Sequence, residues 1–263
     1  LEAIRNPIGT KPLKELVAKG EKIAVVVSDI TRMVGTAEFL PVIINELNEA
    51  GIADSDITII IATGTHRAHT PEEDVVVCGQ DIVNRIKIHQ HDCRNKEELV
   101  DMGVTSFGTP ILIDKYAAEA DKVIITGSVS LHPMAGFGGG RKAVMPGISG
   151  YATIMHNHAM ALADKVGEGC NPACETSVLE NNPLHEDMTE VCAKLAPAFL
   201  VNTVFTPDGK LHEVVAGHWY KAWEKGCQDL LKMAGIPIKE QADVVFASAG
   251  GFPKDMNLYQ SCK

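Results

Sequence analysis

The chain has 263 residues, 45% of them apolar, which is enough to bury one large core. A formal net charge of −10 works against contact with phosphate backbones, so no nucleic-acid partner is expected. The apolar runs fall well short of the roughly 18 residues that a membrane-spanning helix needs, so no membrane partner is expected either; seven cysteines without a C-x-x-C pair argue against a disulfide framework or zinc ribbon and for a reducing, cytoplasmic compartment.

Residues 23–27 form a β-branched run that predicts a strand, and Asp29, Thr31 and Arg32 follow it directly. Thr36 is placed to cap a helix whose apolar positions Phe39, Ile43, Ile44 and Leu47 recur at helical spacing, with Gly51 closing it. Residues 57–62 predict the next strand, which runs into Gly64, Thr65, His66 and Arg67. Thr70, Pro71 and Glu73 then supply a cap, a first-turn proline and a capping-box glutamate for a second helix. His89, His91 and Cys93 alternate as on one face of a strand; a metal site is one reading and an ordinary solvated edge the plainer one. Residues 123–126 predict a third strand, followed by His132, a glycine-rich stretch at 136–140, Arg141 and Lys142, and a helix over 151–165. Residues 167–185 show no period and read as a long loop or short irregular helices, and Cys170 and Cys174 within the stretch receive no metal role. A last strand is expected over 242–248, its loop carrying Lys254, Asp255, Tyr259, Gln260 and Lys263.

Short β-branched runs alternating with amphipathic stretches predict an α/β, Rossmann-like fold, with a mainly parallel sheet and helices on both faces. An N-terminal cofactor-binding domain is expected over 1–240, with 241–263 as the beginning of a second α/β domain. No leader sequence is read in the chain, which opens at Leu1. In open parallel sheets ligands sit outside the carboxyl ends of the strands, so the four post-strand segments are expected to converge on one crevice.

Taken singly, these segments allow other readings. Asp29-x-Thr31-Arg32 also fits a turn with a surface ion pair, and His66 fits a loop or cap residue. Gly138, Gly139 and Gly140, followed by Arg141 and Lys142, suggest a phosphate cradle, because successive glycines expose backbone N–H groups. The stretch matches neither the dinucleotide fingerprint nor the P-loop. His156 and His158 lie about 200° apart around a helix, so at most one of them faces the site.

In order, Asp29-x-Thr31-Arg32, Gly64-Thr65-His66, His132-Pro133-x-x-Gly136, Gly-Gly-Arg-Lys142-x-x-x-Pro146-Gly147, His158 and Tyr259-Gln260-x-x-Lys263 resemble the nickel-dependent lactate racemase family over nearly the whole chain. The resemblance implies a racemase or epimerase of a small 2-hydroxy acid, lactate by default. It would work by reversible hydride transfer on a nickel-pincer nucleotide, pyridinium-3,5-bisthiocarboxylic acid mononucleotide. It also implies Lys142 as the covalent tether, His158 as the nickel ligand, and Asp29, Thr31, Gly138, Gly139 and Gly140 as cofactor contacts. His66 and His132 become the general acid and base. Arg32, Tyr259, Gln260 and Lys263 become substrate-binding residues, with Arg32 and Lys263 polarising the developing carbonyl. Cofactor-synthesis and nickel-insertion proteins are the implied partners. Hydride chemistry suits the substrate, because an α-hydrogen beside a carboxylate is hardly acidic while the hydroxyl proton can leave to a histidine. Two other functions stay open on the residues alone: a non-catalytic domain that binds a phosphate ligand, and a zinc-dependent hydrolase using His66, His132 and His158.

Overall fold

Residues 23–27 are all Ile, Ala or Val, and all are buried, because the strand they form is covered on both faces. The computed structural model describes residues 1–32, 34–165, 167–246, 248 and 251. Along the chain, α1 (Glu2–Arg5), β1 (Ile23–Ser28), α2 (Thr36–Glu49), β2 (Ile57–Ala62), α3 (Pro71–Cys78), α4 (Gln80–Arg85) and β3 (Lys87–Gln90) come first. They are followed by β4 (Leu99–Val104), β5 (Pro110–Asp114), α5 (Lys115–Ala118), β6 (Lys122–Val129), β7 (Leu131–His132) and β8 (Gly136–Phe137). The last are α6 (Tyr151–Ala159), α7 (Pro183–Leu195), β9 (Phe199–Phe205), β10 (Leu211–Gly217) and α8 (Lys221–Ala234).

Six strands share one sheet in the order β10-β9-β6-β1-β2-β3, parallel except where β10 pairs antiparallel with β9. Side chains alternate across each strand. Ala24, Val26, Ile60 and Ile125 therefore face a core closed by α6, α7 and α8 through Ile154, Leu184, Met188, Val191 and Trp223. Val25, Val27, Ile59 and Ile61 face a second core closed by α2, α3 and α4 through Leu40, Ile43, Leu47, Cys78 and Ile82. Each large aliphatic side chain buried this way contributes roughly 1.5–3 kcal/mol. The α/β sheet with helices on both faces is the architecture that the sequence pattern leads one to expect.

Local signals hold in most places. Thr70 and Glu73 form the reciprocal capping box of α3. Past α2, Gly51 takes φ 92° and donates to the Asn48 carbonyl while Ile52 donates to Leu47, a Schellman closure. Thr36, however, is the first helical residue and not the cap. Gly35 holds that position at φ 74°, and the Thr36 hydroxyl is buried. The helix expected over 151–165 stops at Ala159, because Ala163 donates to the Gly169 carbonyl and Asn171 to Ala161, pulling the chain back on itself. Within the stretch at 167–185, expected as a loop or short irregular helices, Asn182 caps α7 by accepting the His185 N–H, with Pro183 at the first helical position. The strand expected over 242–248 does not form among its described residues; Val244, Val245 and Phe246 stand exposed, with no strand paired beside them. The described cysteines are free thiols.

His89 and His91 correct the expectation of a solvated edge. His91 is buried and donates from Nδ1 to Asp114 Oδ2 at 2.9 Å, while His89 Nε2 meets the same oxygen at 2.9 Å. Asp114 also caps α5 by accepting the Tyr116 N–H. Burial pushes the Asp114 carboxyl up, but the two imidazoles outweigh it and hold the group down at about 2. A carboxyl depressed from its usual 3.8 contributes stability above that value, and the contribution is lost as pH falls through about 2. Urea titrations between pH 4 and 2 are therefore expected to show a steep loss of stability that is shallower in Asp114→Asn. At pH 7 that variant is expected to be less stable by about 1–3 kcal/mol. Equal slopes in the two proteins would remove Asp114 as the acid-sensitive group.

Candidate active site

β1, β2 and β6 are adjacent and parallel, so their carboxyl ends bring Asp29, His66 and His132 to one edge of the sheet. Asp29 is buried immediately after β1. Its Oδ1 accepts the Thr31 N–H at 3.0 Å and the Thr31 hydroxyl at 2.6 Å, which leaves Oδ2 to accept from His66 Nδ1 at 2.5 Å. With its hydrogen on Nδ1, His66 presents a lone pair at Nε2. Arg32 donates to the Thr31 hydroxyl at 3.0 Å and so connects to Asp29 through Thr31.

His132 is held the opposite way. On the β7–β8 hairpin its Nδ1 accepts the backbone N–H groups of Met134 at 3.3 Å and Ala135 at 3.0 Å, which places its own hydrogen on Nε2. The two histidines are therefore held in opposite tautomers.

The glycine loop is shaped by packing. Gly138 donates its N–H to the Ser130 carbonyl at 2.7 Å and Gly140 donates to Asn202 Oδ1 at 2.8 Å, so these two amides turn into the protein and away from any phosphate. A Cβ on Gly139 would lie 2.7 Å from Asn202 Oδ1, and one on Gly140 2.5 Å from the Trp223 ring, with both residues at positive φ. Arg141 is fully buried, donates to the Ala135 and Phe137 carbonyls, and lies 4.2 Å over the Trp223 ring. Burial lowers its pKa to about 10, which still leaves it charged at neutral pH. It braces the turn whose Ala135 N–H holds His132, a structural role that its place in a basic pair does not suggest.

Lys142 sits on the short 3-10 turn that follows these glycines. Gly147 donates to the Lys142 carbonyl, and Gly64 donates to the Gly147 carbonyl at 2.9 Å, tying the lysine turn to the loop that bears His66. His158, on α6, has its pKa lowered by desolvation and then by the Lys142 charge. His156 bonds through Nδ1 to the Thr109 hydroxyl at 2.8 Å. Tyr259, Gln260 and Lys263, with Lys254 and Asp255, lie outside the described residues.

Two residues escape a reading by motif. His69 accepts the Ile30 N–H at Nε2 and bonds Asp74 through Nδ1, fixing the β1 loop against the β2 loop. Asn202, a polar residue in the middle of an apolar run, anchors the glycine loop; that interruption is its only trace in the sequence. Among the described residues no group of three His, Cys, Asp or Glu side chains is gathered to hold a metal, so His66, His132 and His158 do not form a three-histidine zinc site. A groove of about 620 Å³ lined by Ser106, Phe107, His185, Glu186 and Tyr220, among others, contains none of the expected site residues.

The fold and its loops thus define an α/β domain with histidine, lysine and aspartate side chains gathered beyond the carboxyl ends of parallel strands. The family model described as the lactate racemase N-terminal domain matches residues 1–169, and the chain belongs to the lactate racemase family. It is 38% identical over 261 residues to the lactate racemase of Thermoanaerobacterium thermosaccharolyticum, covering 99% of this chain and 59% of that protein. To the lactate racemase of Lactiplantibacillus plantarum it is 36% identical over 263 residues, covering 100% of this chain and 60% of that protein. The chain therefore spans about 60% of the length of these relatives. The solved structure of the lactate racemase apoprotein from T. thermosaccharolyticum superposes with a TM-score of 0.89 at 38% identity, covering 100% of this chain and 61% of that one. A Thermotoga maritima protein of known crystal structure, at 21% identity and a TM-score of 0.66, shares the fold. Among the described residues no helix is long and apolar enough to cross a membrane.

Proposed function

We propose that this chain is the cofactor-bearing part of a 2-hydroxyacid racemase, with lactate the first substrate to test. The observation that carries the reading is that the turn bearing Lys142 is tied through Gly147 and Gly64 to the loop bearing His66, whose ring is seated on Asp29 at the end of β1. The residues suit the nickel-pincer nucleotide. Lys142 supplies the amine for a covalent tether, and His158, its pKa lowered first by desolvation and then by the Lys142 charge, supplies an imidazole for the metal. When bound, that group supplies an acceptor and donor of hydride.

The chain's own residues handle the proton and the charge. His66, its Nδ1–H anchored on Asp29, takes the substrate hydroxyl proton at Nε2. His132 directs Nε2–H at the substrate oxygen in the arrangement described, and serves as a base only when its Nδ1 releases the Met134 and Ala135 amides. Arg32 binds the carboxylate, joined in the same reading by Tyr259, Gln260 and Lys263, and Thr31 holds Asp29 in place. Cofactor-synthesis and nickel-insertion proteins are then required partners. The Gly138 and Gly140 amides are already taken, which removes them as phosphate contacts for the nucleotide as for any other phosphate ligand.

Protein produced in a host that carries the cofactor-building enzymes is expected to show one nickel per chain and a nucleotide-sized mass increase. Purification with neither, under conditions where a known lactate racemase gains both, would overturn the reading.

A further inference from the structure

We infer that Asp187 is a positioning residue for His158, acting through Asn157; the inference rests on the reading of His158 as the nickel ligand. α6 is a short helix whose buried residues are Thr153, Ile154 and Asn157, so apolar packing does little to fix its rotation. Polar ties do that work. In the first turn, the Thr153 hydroxyl donates to the Pro110 carbonyl at 2.6 Å and accepts the Leu112 N–H at 3.1 Å. In the last turn, Asn157, immediately before His158, donates from Nδ2 to Asp187 Oδ2 at 2.8 Å and to the Leu184 carbonyl at 3.2 Å.

Asp187 is fully buried on α7, which is anchored in the core by Leu184, Met188, Val191 and Cys192. It is a rigid base for the tie. Its other partners are neutral donors: the Thr105 hydroxyl at 2.6 Å on Oδ1 and the Thr109 hydroxyl at 2.9 Å on Oδ2. Thr109 spends its one hydrogen on Asp187, so its oxygen accepts from His156 Nδ1. The carboxylate therefore holds α6 at two adjacent residues, directly at Asn157 and through Thr109 at His156, and the helical period carries His158 onto another side of the helix. Groups that do not touch a metal but orient its ligands typically govern affinity by about 10–100-fold.

The test uses cofactor-loaded holoenzyme and reads nickel release to a chelator together with the absorption band of the bound metal. Asn157→Leu, which keeps the volume and removes the tie, is expected to release nickel about 10–100-fold faster and to alter the band. Asp187→Ala is expected to do the same if it folds. Thr105→Val removes a bond to the same carboxylate and the acceptor of the Thr109 N–H but leaves the Asn157–Asp187 bond in place, and is expected to lower Tm while nickel release stays at the parent rate. Parent-rate release from Asn157→Leu, or equal acceleration in Thr105→Val, would overturn the inference. His158→Ala separates the two ideas. If it loses nickel while Asn157→Leu does not, only the positioning role fails; if it keeps nickel, the ligand assignment itself has failed.

Discussion

Replacing Lys142 by arginine is expected to abolish the covalent nucleotide adduct entirely while leaving the fold intact. A thioamide tether needs an amine that can lose its protons and form a bond through nitrogen. A guanidinium stays charged and planar and offers no such nitrogen. The positive charge beside His158 would survive the change, so the loss would report the bond and not the field. Arg141 next door cannot compensate, because it is buried against Trp223 and committed to two carbonyls. Lys142 itself is only partly buried on a turn closed by backbone bonds, and its replacement is expected to leave Tm near that of the parent. Intact mass spectrometry and thermal melting on the same preparation check both halves. An adduct that persists in Lys142→Arg would place the tether on another side chain.

Alanine at either His66 or His132 is expected to slow racemisation in both directions by about 10²–10⁴-fold, the range a positioned general acid or base contributes. The two losses should differ in kind. His66 begins with a lone pair at Nε2 and Asp29 behind it, whereas His132 begins with a hydrogen at Nε2 and two backbone amides behind it. A flat keto acid between two such groups can be approached from either face, so each histidine serves the enantiomer whose hydroxyl points at it. In single-turnover measurements on the complete, cofactor-loaded enzyme, each variant is expected to oxidise one enantiomer at a near-parent rate and to fail with the other. The two variants should show opposite preferences. Loss of the same enantiomer in both would show that the histidines act in series on one face, and the two-base scheme would have to be dropped.

What the sequence determined by itself is local or periodic. The β-branched runs at 23–27, 57–62 and 123–126 specify strands because a strand covered on both faces needs apolar residues without interruption. Thr70 with Glu73, and Gly51 after Leu47, specify helix ends because caps are made within a few residues. The placement of Asp29, His66, His132 and Lys142 after strands or glycines was legible for the same reason.

Tertiary structure decided the rest. Helical spacing allowed α6 to continue past Ala159, and only pairing with residues 169–171 ended it. Nothing local distinguishes Arg141 from a phosphate ligand. Its role became structural when Trp223, some eighty residues later in the chain, came to lie beneath it. The hydrogen positions on His66 and His132 depend on which groups stand behind each ring, an aspartate from another strand in one case and the turn of its own hairpin in the other. Asp114 gathers two histidines and Asp187 two threonines and an asparagine from segments distant in sequence. A buried carboxylate needs several donors at once, and only the folded chain can supply them together.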